Sequence, residues 1–108
     1  MKKKPKYRAV THEMVMREHI KEDPEFAAAY LKVALEEATD DIGRDVLLHA
    51  IRRVAEVHGI ANIARKAGIK RESLSRALSA KGNPQLDTLC SVVHAMGMKL
   101  TLEPLRAQ

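Results

Sequence analysis

Residues 60–79 have the spacing of a helix-turn-helix, and this pattern constrains the fold more than any other part of the sequence. Two short helices that cross at a steep angle need a small residue where they touch, and Ala64 provides it. The turn between them needs a residue that tolerates a positive φ, and Gly68 stands there. The apolar residues that would bury the two helices fall at matching positions: Ile63, Ala67, Ile69, Leu74, Ala77 and Leu78. The spacing therefore predicts two packed helices joined by a tight turn.

The face that this packing leaves exposed is polar and mostly basic. It consists of Lys70, Arg71, Glu72, Ser75, Arg76 and Ser79. Long hydrogen-bond donors at the start of an exposed helix suit the major groove of DNA. The alternative is a helical hairpin with a purely structural role, because a small residue four positions before a glycine is a weak motif. The buried leucine at the expected spacing and the basic face favour DNA binding.

The composition narrows the function classes. With 108 residues, 45% of them hydrophobic, the chain can form one domain with a modest core. Aromatic residues make up only 3%, too few for a platform that stacks single-stranded bases, so duplex DNA is the better nucleic-acid prediction. The single cysteine, Cys90, excludes an intramolecular disulfide framework. No apolar segment follows the basic N-terminus and no long apolar run occurs, which predicts a cytoplasmic protein with no membrane association.

The net charge of +5 is unevenly distributed along the chain. Residues 1–8 carry five basic side chains and no acidic one, and residues 59–85 carry six basic side chains against Glu72. Residues 9–58 carry eleven acidic and six basic side chains. The basic segments could supply phosphate contacts. The acidic segment could face a basic partner protein, or it could be an ordinary solvated helix surface.

The periodicity of apolar residues predicts an all-α domain of about five helices. Their expected ranges are 24–38, 41–58, 60–67, 71–79 and 86–96. Asp23 before Pro24 is a typical helix start, and Gly59 is a typical helix end. Residues 1–22 are predicted to form a flexible basic arm, in which His12 to Ile20 could form a short helix of poor periodicity. Residues 23–108 are predicted to form a single helical DNA-binding domain with its helix-turn-helix at 60–79.

After the last helix, apolar and polar residues alternate. Met98, Leu100 and Leu102 alternate with polar residues, which is a strand pattern. A lone strand has no partner within the chain, so we expect either an extended tail or a strand at the interface of a homodimer. A homodimer is also expected because two-fold operators need two recognition helices about 34 Å apart.

Several short motifs that follow one another in a fixed order resemble a known family. They cover roughly three quarters of the chain, from about Phe26 to Pro104. These segments are Tyr30-Leu31, Gly59-Ile60-Ala61-Asn62-Ile63-Ala64, Ala67-Gly68-Ile69-Lys70-Arg71-Glu72-Ser73-Leu74, Leu78-Ser79-Ala80-Lys81-Gly82-Asn83-Pro84, Asp87-Thr88-Leu89 and Ala95-Met96-Gly97-Met98-Lys99-Leu100-Thr101. The chain resembles the probable addiction module antidote proteins, which are helix-turn-helix antitoxins encoded beside a small toxin. The broader Cro/repressor-like superfamily shares the helix-turn-helix and the loop after it. The resemblance implies that the protein neutralises a cognate toxin and represses the shared operon.

In repressors of this fold the first exposed positions of the recognition helix read bases, so the resemblance implies this role for Lys70, Arg71, Glu72 and Arg76. Six neighbouring polar residues could contact phosphate or DNA beside them. The predicted DNA-binding residues are Asn62, Lys66, Lys70, Arg71, Glu72, Ser73, Ser75, Arg76, Lys81 and Asn83. Arg71 and Arg76 are the first candidates for base contacts, with a phosphate contact as the alternative. Glu72 could accept from cytosine or pair with Arg76 four residues later. Lys70 stands where such proteins often have Ser or Thr as the helix cap, which weakens the cap.

Other chemistries are poorly indicated. Cys90 and His94 share a helix face, but no second pair completes a metal site, so neither a metal nor another cofactor is expected. No arrangement of residues indicates an enzyme. Two alternatives to the antitoxin remain: a stand-alone regulator of prophage type without a toxin partner, and a protein-interaction module that does not bind DNA.

Overall fold

The computed structural model describes residues 11–106, and most of these residues are helical. The helices are α1 His12–Glu22, α2 Pro24–Glu36, α3 Asp41–His58, α4 Ile60–Ala67, α5 Arg71–Ala77 and α6 Leu86–Ala95. The all-helical class is confirmed. The five predicted helices correspond to α2–α6, and their ends differ from the predicted ranges by at most two residues.

Side-chain caps explain why α2 and α3 begin where they do. Asp23 Oδ1 accepts hydrogen bonds from the backbone N–H groups of Glu25 and Phe26, each at 3.1 Å. Asp40 Oδ1 accepts one from the N–H of Gly43 at 2.8 Å. These bonds satisfy amides that a helix leaves without an internal partner. Both starts were visible in the sequence because aspartate is among the best capping residues.

The sixth helix, α1, lies in the segment that was expected to be a flexible arm, with a short helix from His12 to Ile20 as the alternative. It is capped by Thr11, and it carries Ile20 into the core. Its apolar residues do not form one stripe, since Met14 and Val15 remain exposed, and for this reason the sequence indicated the helix only weakly. The lysine-rich residues 1–10 lie outside the described residues. The division into an arm and a single domain otherwise stays a prediction.

One core draws on all six helices. Each helix contributes at least one fully buried side chain: Ile20, Ala27, Val54, Ile63, Leu74 and Val92. α3 packs against α1, α2 and α4, and α6 packs against α4 from another side. α4 therefore contacts α3, α5 and α6, and it joins α5 to the rest of the domain.

The segment after α6 does not contain the predicted strand. Residues 98–106 have no regular structure, and no strand occurs anywhere between residues 11 and 106. A single alternating segment has no partner for its backbone hydrogen bonds within one chain. The strand is thus not confirmed, and strand pairing in a dimer stays a prediction.

Five charged side chains of α1 and α3 form an ion-pair ladder: Glu13, Arg17, Arg52, Arg53 and Glu56. Arg17 links the two helices, with Nε 2.7 Å from Glu13 Oε2 and Nη2 2.7 Å from Glu56 Oε1. Glu13 also pairs with Arg53, and Glu56 pairs with Arg52 at 3.0 Å. α1 is therefore attached to the rest of the domain in two ways, by the ion pairs of the ladder and by the apolar contact of Ile20.

Because of the ladder, the stability of the protein should fall as the pH becomes acidic. The hydrogen bond from Arg17, followed by the charges of Arg17 and Arg52, holds the pKa of Glu56 below its ordinary value. A depressed pKa means that the stabilisation is present above the unfolded-state pKa of about 4.3 and is lost as pH falls through the folded-state value. We expect Glu56→Gln to be less stable than wild type at pH 7, with the difference shrinking as the pH is lowered.

Urea unfolding at a series of pH values between 7 and about 3 measures this difference. Glu72→Gln is the control, because Glu72 is exposed on α5 and takes part in none of the ion pairs found among residues 11–106. A Glu56→Gln deficit that is constant across this range would contradict the prediction.

Candidate nucleic-acid interface

The turn between α4 and α5 has the geometry that its sequence predicted. Gly68 ends α4 with φ 75°, in the left-handed region, which glycine adopts without steric cost. The N–H of Ile69 donates to the carbonyl of Ala64 at 3.0 Å and closes the turn. Ala64 and Leu74 are both buried in the same core cluster, so each helix turns an apolar side chain inward.

The first turn of α5 faces solvent with its polar side chains. Arg71, Glu72, Ser73 and Arg76 are exposed, whereas Ser75 is half-buried. The predicted Glu72–Arg76 pair is absent from the ion pairs of residues 11–106, so both charges remain available for other contacts.

The start of α5 lacks a side-chain cap. Lys70 occupies the cap position with φ −72° and ψ 145°, and its side chain makes no capping hydrogen bond. The backbone carbonyl of Lys70 accepts from the N–H of Leu74 at 3.0 Å, which is the first bond of the helix. The amides of the first turn of α5 therefore receive no capping hydrogen bond from Lys70.

The predicted contacts on α4 lie at the edge of this face. Lys66 is exposed, and Asn62 is half-buried with its Oδ1 accepting a hydrogen bond from Arg65. Both line an open cavity of about 570 Å³ between α4 and α6, together with His58 and His94. Asn62 is thus engaged within its own helix, while Lys66 is free to extend.

The two residues predicted to contact DNA from the loop after α5 differ in their surroundings. Lys81 adopts φ 64°, and its N–H donates to Asp45 Oδ1 at 3.2 Å while its Nζ lies 3.5 Å from Asp45 Oδ2. Asn83 is exposed and unobstructed by such a pair. A phosphate would have to compete with Asp45 for the Lys81 ammonium group.

Arg52 was not among the site residues predicted from the sequence, although it contacts the backbone of α5. Its Nη1 donates to the backbone carbonyl of Ser75 at 3.2 Å, and its Nε pairs with Glu56 at 3.0 Å. The pairing with Glu56 was readable from the i,i+4 spacing. The bond to Ser75 was not, because it joins residues 23 positions apart. Arg52 links the ion-pair ladder to the backbone of α5 and is a positioning residue for its exposed face.

Two further features, a metal-binding cluster and a membrane-spanning helix, are absent from the part of the chain that the structure describes. Among residues 11–106, no group of three or more His, Cys, Asp or Glu side chains is placed to hold a metal ion. None of the helices in this range is long and apolar enough to cross a membrane.

Comparison with known proteins identifies relatives. The sequence model of a family described as "Probable addiction module antidote protein" matches residues 5–104. A protein of Haemophilus influenzae strain Rd, described as uncharacterized, is 35% identical over 89 residues, covering 82% of this chain and 87% of that protein. No solved structure matches the chain.

Proposed function

Because the chain belongs to the probable addiction module antidote protein family, we propose that it is a sequence-specific DNA-binding antitoxin that represses its own operon and neutralises a partner toxin. The family description implies a toxin partner and a non-enzymatic regulatory role. DNA reading, operon repression and neutralisation of the toxin are the proposed parts.

The observation that best supports DNA binding is the exposed basic face of α5, whose opposite face is anchored in the core by a buried side chain. Leu74 fixes the inner face of the helix, and Arg71 and Arg76 extend from the outer face. In a Cro/repressor-like arrangement this helix would enter the major groove, and the arginines would reach guanine O6 and N7. Lys66 and Asn83 flank the helix and would contact phosphates, which fix position rather than sequence.

We propose that the protein acts as a homodimer. One helix of seven residues reads only a few base pairs, whereas two helices related by a two-fold axis read both halves of a palindromic operator. A dimer therefore supplies the affinity and specificity that a repressor needs.

Binding of the full chain to its own upstream DNA, compared with a random duplex, tests the proposal. Measured at about 50 and 200 mM salt, specific binding is expected to persist at the higher salt while random binding weakens steeply. Equal and steeply salt-sensitive binding to both duplexes would show only the attraction of basic charge and would reject operator reading.

Arg71→Ala is expected to weaken operator binding by about 1–3 kcal/mol and to leave random-duplex binding much less affected. Arg44→Ala is the matched control, because Arg44 is also an exposed arginine but lies on α3 beside Asp41. Equal losses on the operator and on random DNA would assign Arg71 to phosphate rather than to a base.

Neutralisation is tested with the product of the adjacent reading frame. Growth arrest on its expression, relieved by co-expression of this chain, is expected of a toxin and its antidote. If the neighbouring product is harmless or does not bind the chain, while operator binding holds, the protein is a stand-alone regulator.

A further inference from the structure

The segment that follows α6 carries leucine side chains that the described fold leaves in solvent. Leu102 is 98% exposed and Leu105 is 97% exposed, and both follow the partly exposed Leu100 within one short segment. Burying a leucine is worth about 1.5–3 kcal/mol relative to leaving it in water. A cluster of exposed leucines is unlike the isolated apolar residues of ordinary surfaces and is typical of an interaction site.

Beside this segment lies an apolar groove that residues 11–106 do not fill. The groove has a volume of about 320 Å³ and runs between α2, α6 and residues 98–103. Its apolar lining includes Leu31, Leu35, Val93, Met98 and Leu100. Neither of the two fully exposed leucines reaches into it.

The rim of the groove is balanced in charge. Lys32, Glu36, Lys99 and Glu103 line it, and Lys32 Nζ pairs with Glu103 Oε2 at 3.1 Å. A strongly basic or strongly acidic partner would meet one repulsive charge for each attractive one. A second copy of the same surface, turned by a two-fold axis, can set each cation against an anion.

We propose that residues 98–106 and the α2 groove form a reciprocal dimer interface, in which Leu102 and Leu105 of one copy occupy the groove of the other. The groove and the side chains that fill it adjoin in the same chain, so one two-fold axis satisfies both at once. This isologous exchange buries every contact twice and closes the assembly at two copies. The inference rests on the proposed homodimer and specifies its surface, with α2 as the receiving element.

Cysteine crosslinking of the full chain tests the exchange directly. In a Cys90→Ser background, one sample carries Leu35→Cys and the other carries Leu102→Cys with an affinity tag. We expect the mixture to give a disulfide-linked heterodimer on mild oxidation, lost on reduction, because a disulfide requires Cα atoms within about 7 Å. Leu86→Cys in place of Leu35→Cys is the matched control, since Leu86 is an exposed leucine outside the groove.

Light scattering of the oligomeric state provides the second readout. Wild type is expected at twice the chain mass of 12.1 kDa, and Leu102→Glu/Leu105→Glu at the single-chain mass, with Leu86→Glu remaining dimeric. The two glutamates replace solvent-exposed side chains, so the fold of each copy should persist, as circular dichroism can show.

The outcomes separate this inference from the rest of the proposal. A wild-type dimer that survives Leu102→Glu/Leu105→Glu and gives no heterodimer crosslink would overturn the exchange and leave the homodimer standing. A monomeric wild type would overturn both the exchange and the homodimer. Operator binding, measured separately, decides the DNA-reading function in either case.

Discussion

Leu74→Ala is expected to lower the free energy of unfolding by about 2–5 kcal/mol. Leu74 is 0% exposed and is the side chain that seats α5 in the core. Its truncation removes apolar contacts and leaves a cavity that six packed helices can close only in part. A helix of seven residues has little stability of its own, so its position depends on this anchor.

Urea unfolding followed by circular dichroism measures the effect. Leu86→Ala is the matched control, because it removes the same atoms from an exposed leucine and should change stability by about 0.5 kcal/mol or less. Similar losses for the two variants would show that α5 is not anchored through Leu74. Operator binding of Leu74→Ala should fall as well, because α5 would no longer hold its arginine side chains in a fixed position.

Gly82→Ala is expected to destabilise the protein by about 1–3 kcal/mol through overpacking. A Cβ at this position would lie 2.2 Å from the carbonyl oxygen of Ala77 and 2.9 Å from that of Ser79. Both neighbours are backbone atoms at the end of α5, so they cannot move aside as a side-chain tip would. The substitution therefore displaces the loop that presents Lys81 and Asn83.

Gly68→Ala separates crowding from backbone strain. No atom lies within 4 Å of a Cβ at Gly68, but its φ is +75°, so alanine there meets only the cost of the left-handed conformation, about 1–2 kcal/mol. Thermal unfolding compares the two variants, and Gly82→Ala should also alter the exposure of the loop to proteolysis while Gly68→Ala should not. A neutral Gly82→Ala would show that the loop relaxes freely.

Local signals explain why α2–α6 could be predicted from the sequence. Asp23 and Asp40 indicate helix starts, because their carboxylates accept hydrogen bonds from the first backbone amides of the helix. Gly68 indicates a helix end, because it adopts a positive φ. Each signal involves residues no more than four apart. The same holds for the basic outer face of α5, which follows once Leu74 is assigned to the inner face.

Features that depend on tertiary contacts could not be predicted in this way. α1 gains its place from Ile20 and from Arg17, whose partner Glu56 lies 39 residues away. The pairing of Lys81 with Asp45 spans 36 residues, and it changes the interpretation of a predicted phosphate contact. No period or cap encodes such partners, because they are set by how the helices cross.

The ion-pair ladder has an unequal number of acids and bases, and this makes its members differ in mutational tolerance. Glu13 serves Arg17 and Arg53, and Glu56 serves Arg17 and Arg52. Removing Arg52 or Arg53 leaves each carboxylate with another arginine. Removing either glutamate leaves two guanidinium groups with one partner fewer and adds repulsion between them. Within the ladder, substitution of either glutamate is therefore expected to cost more stability than substitution of Arg52 or Arg53, although loss of Arg52 also frees the backbone carbonyl of Ser75.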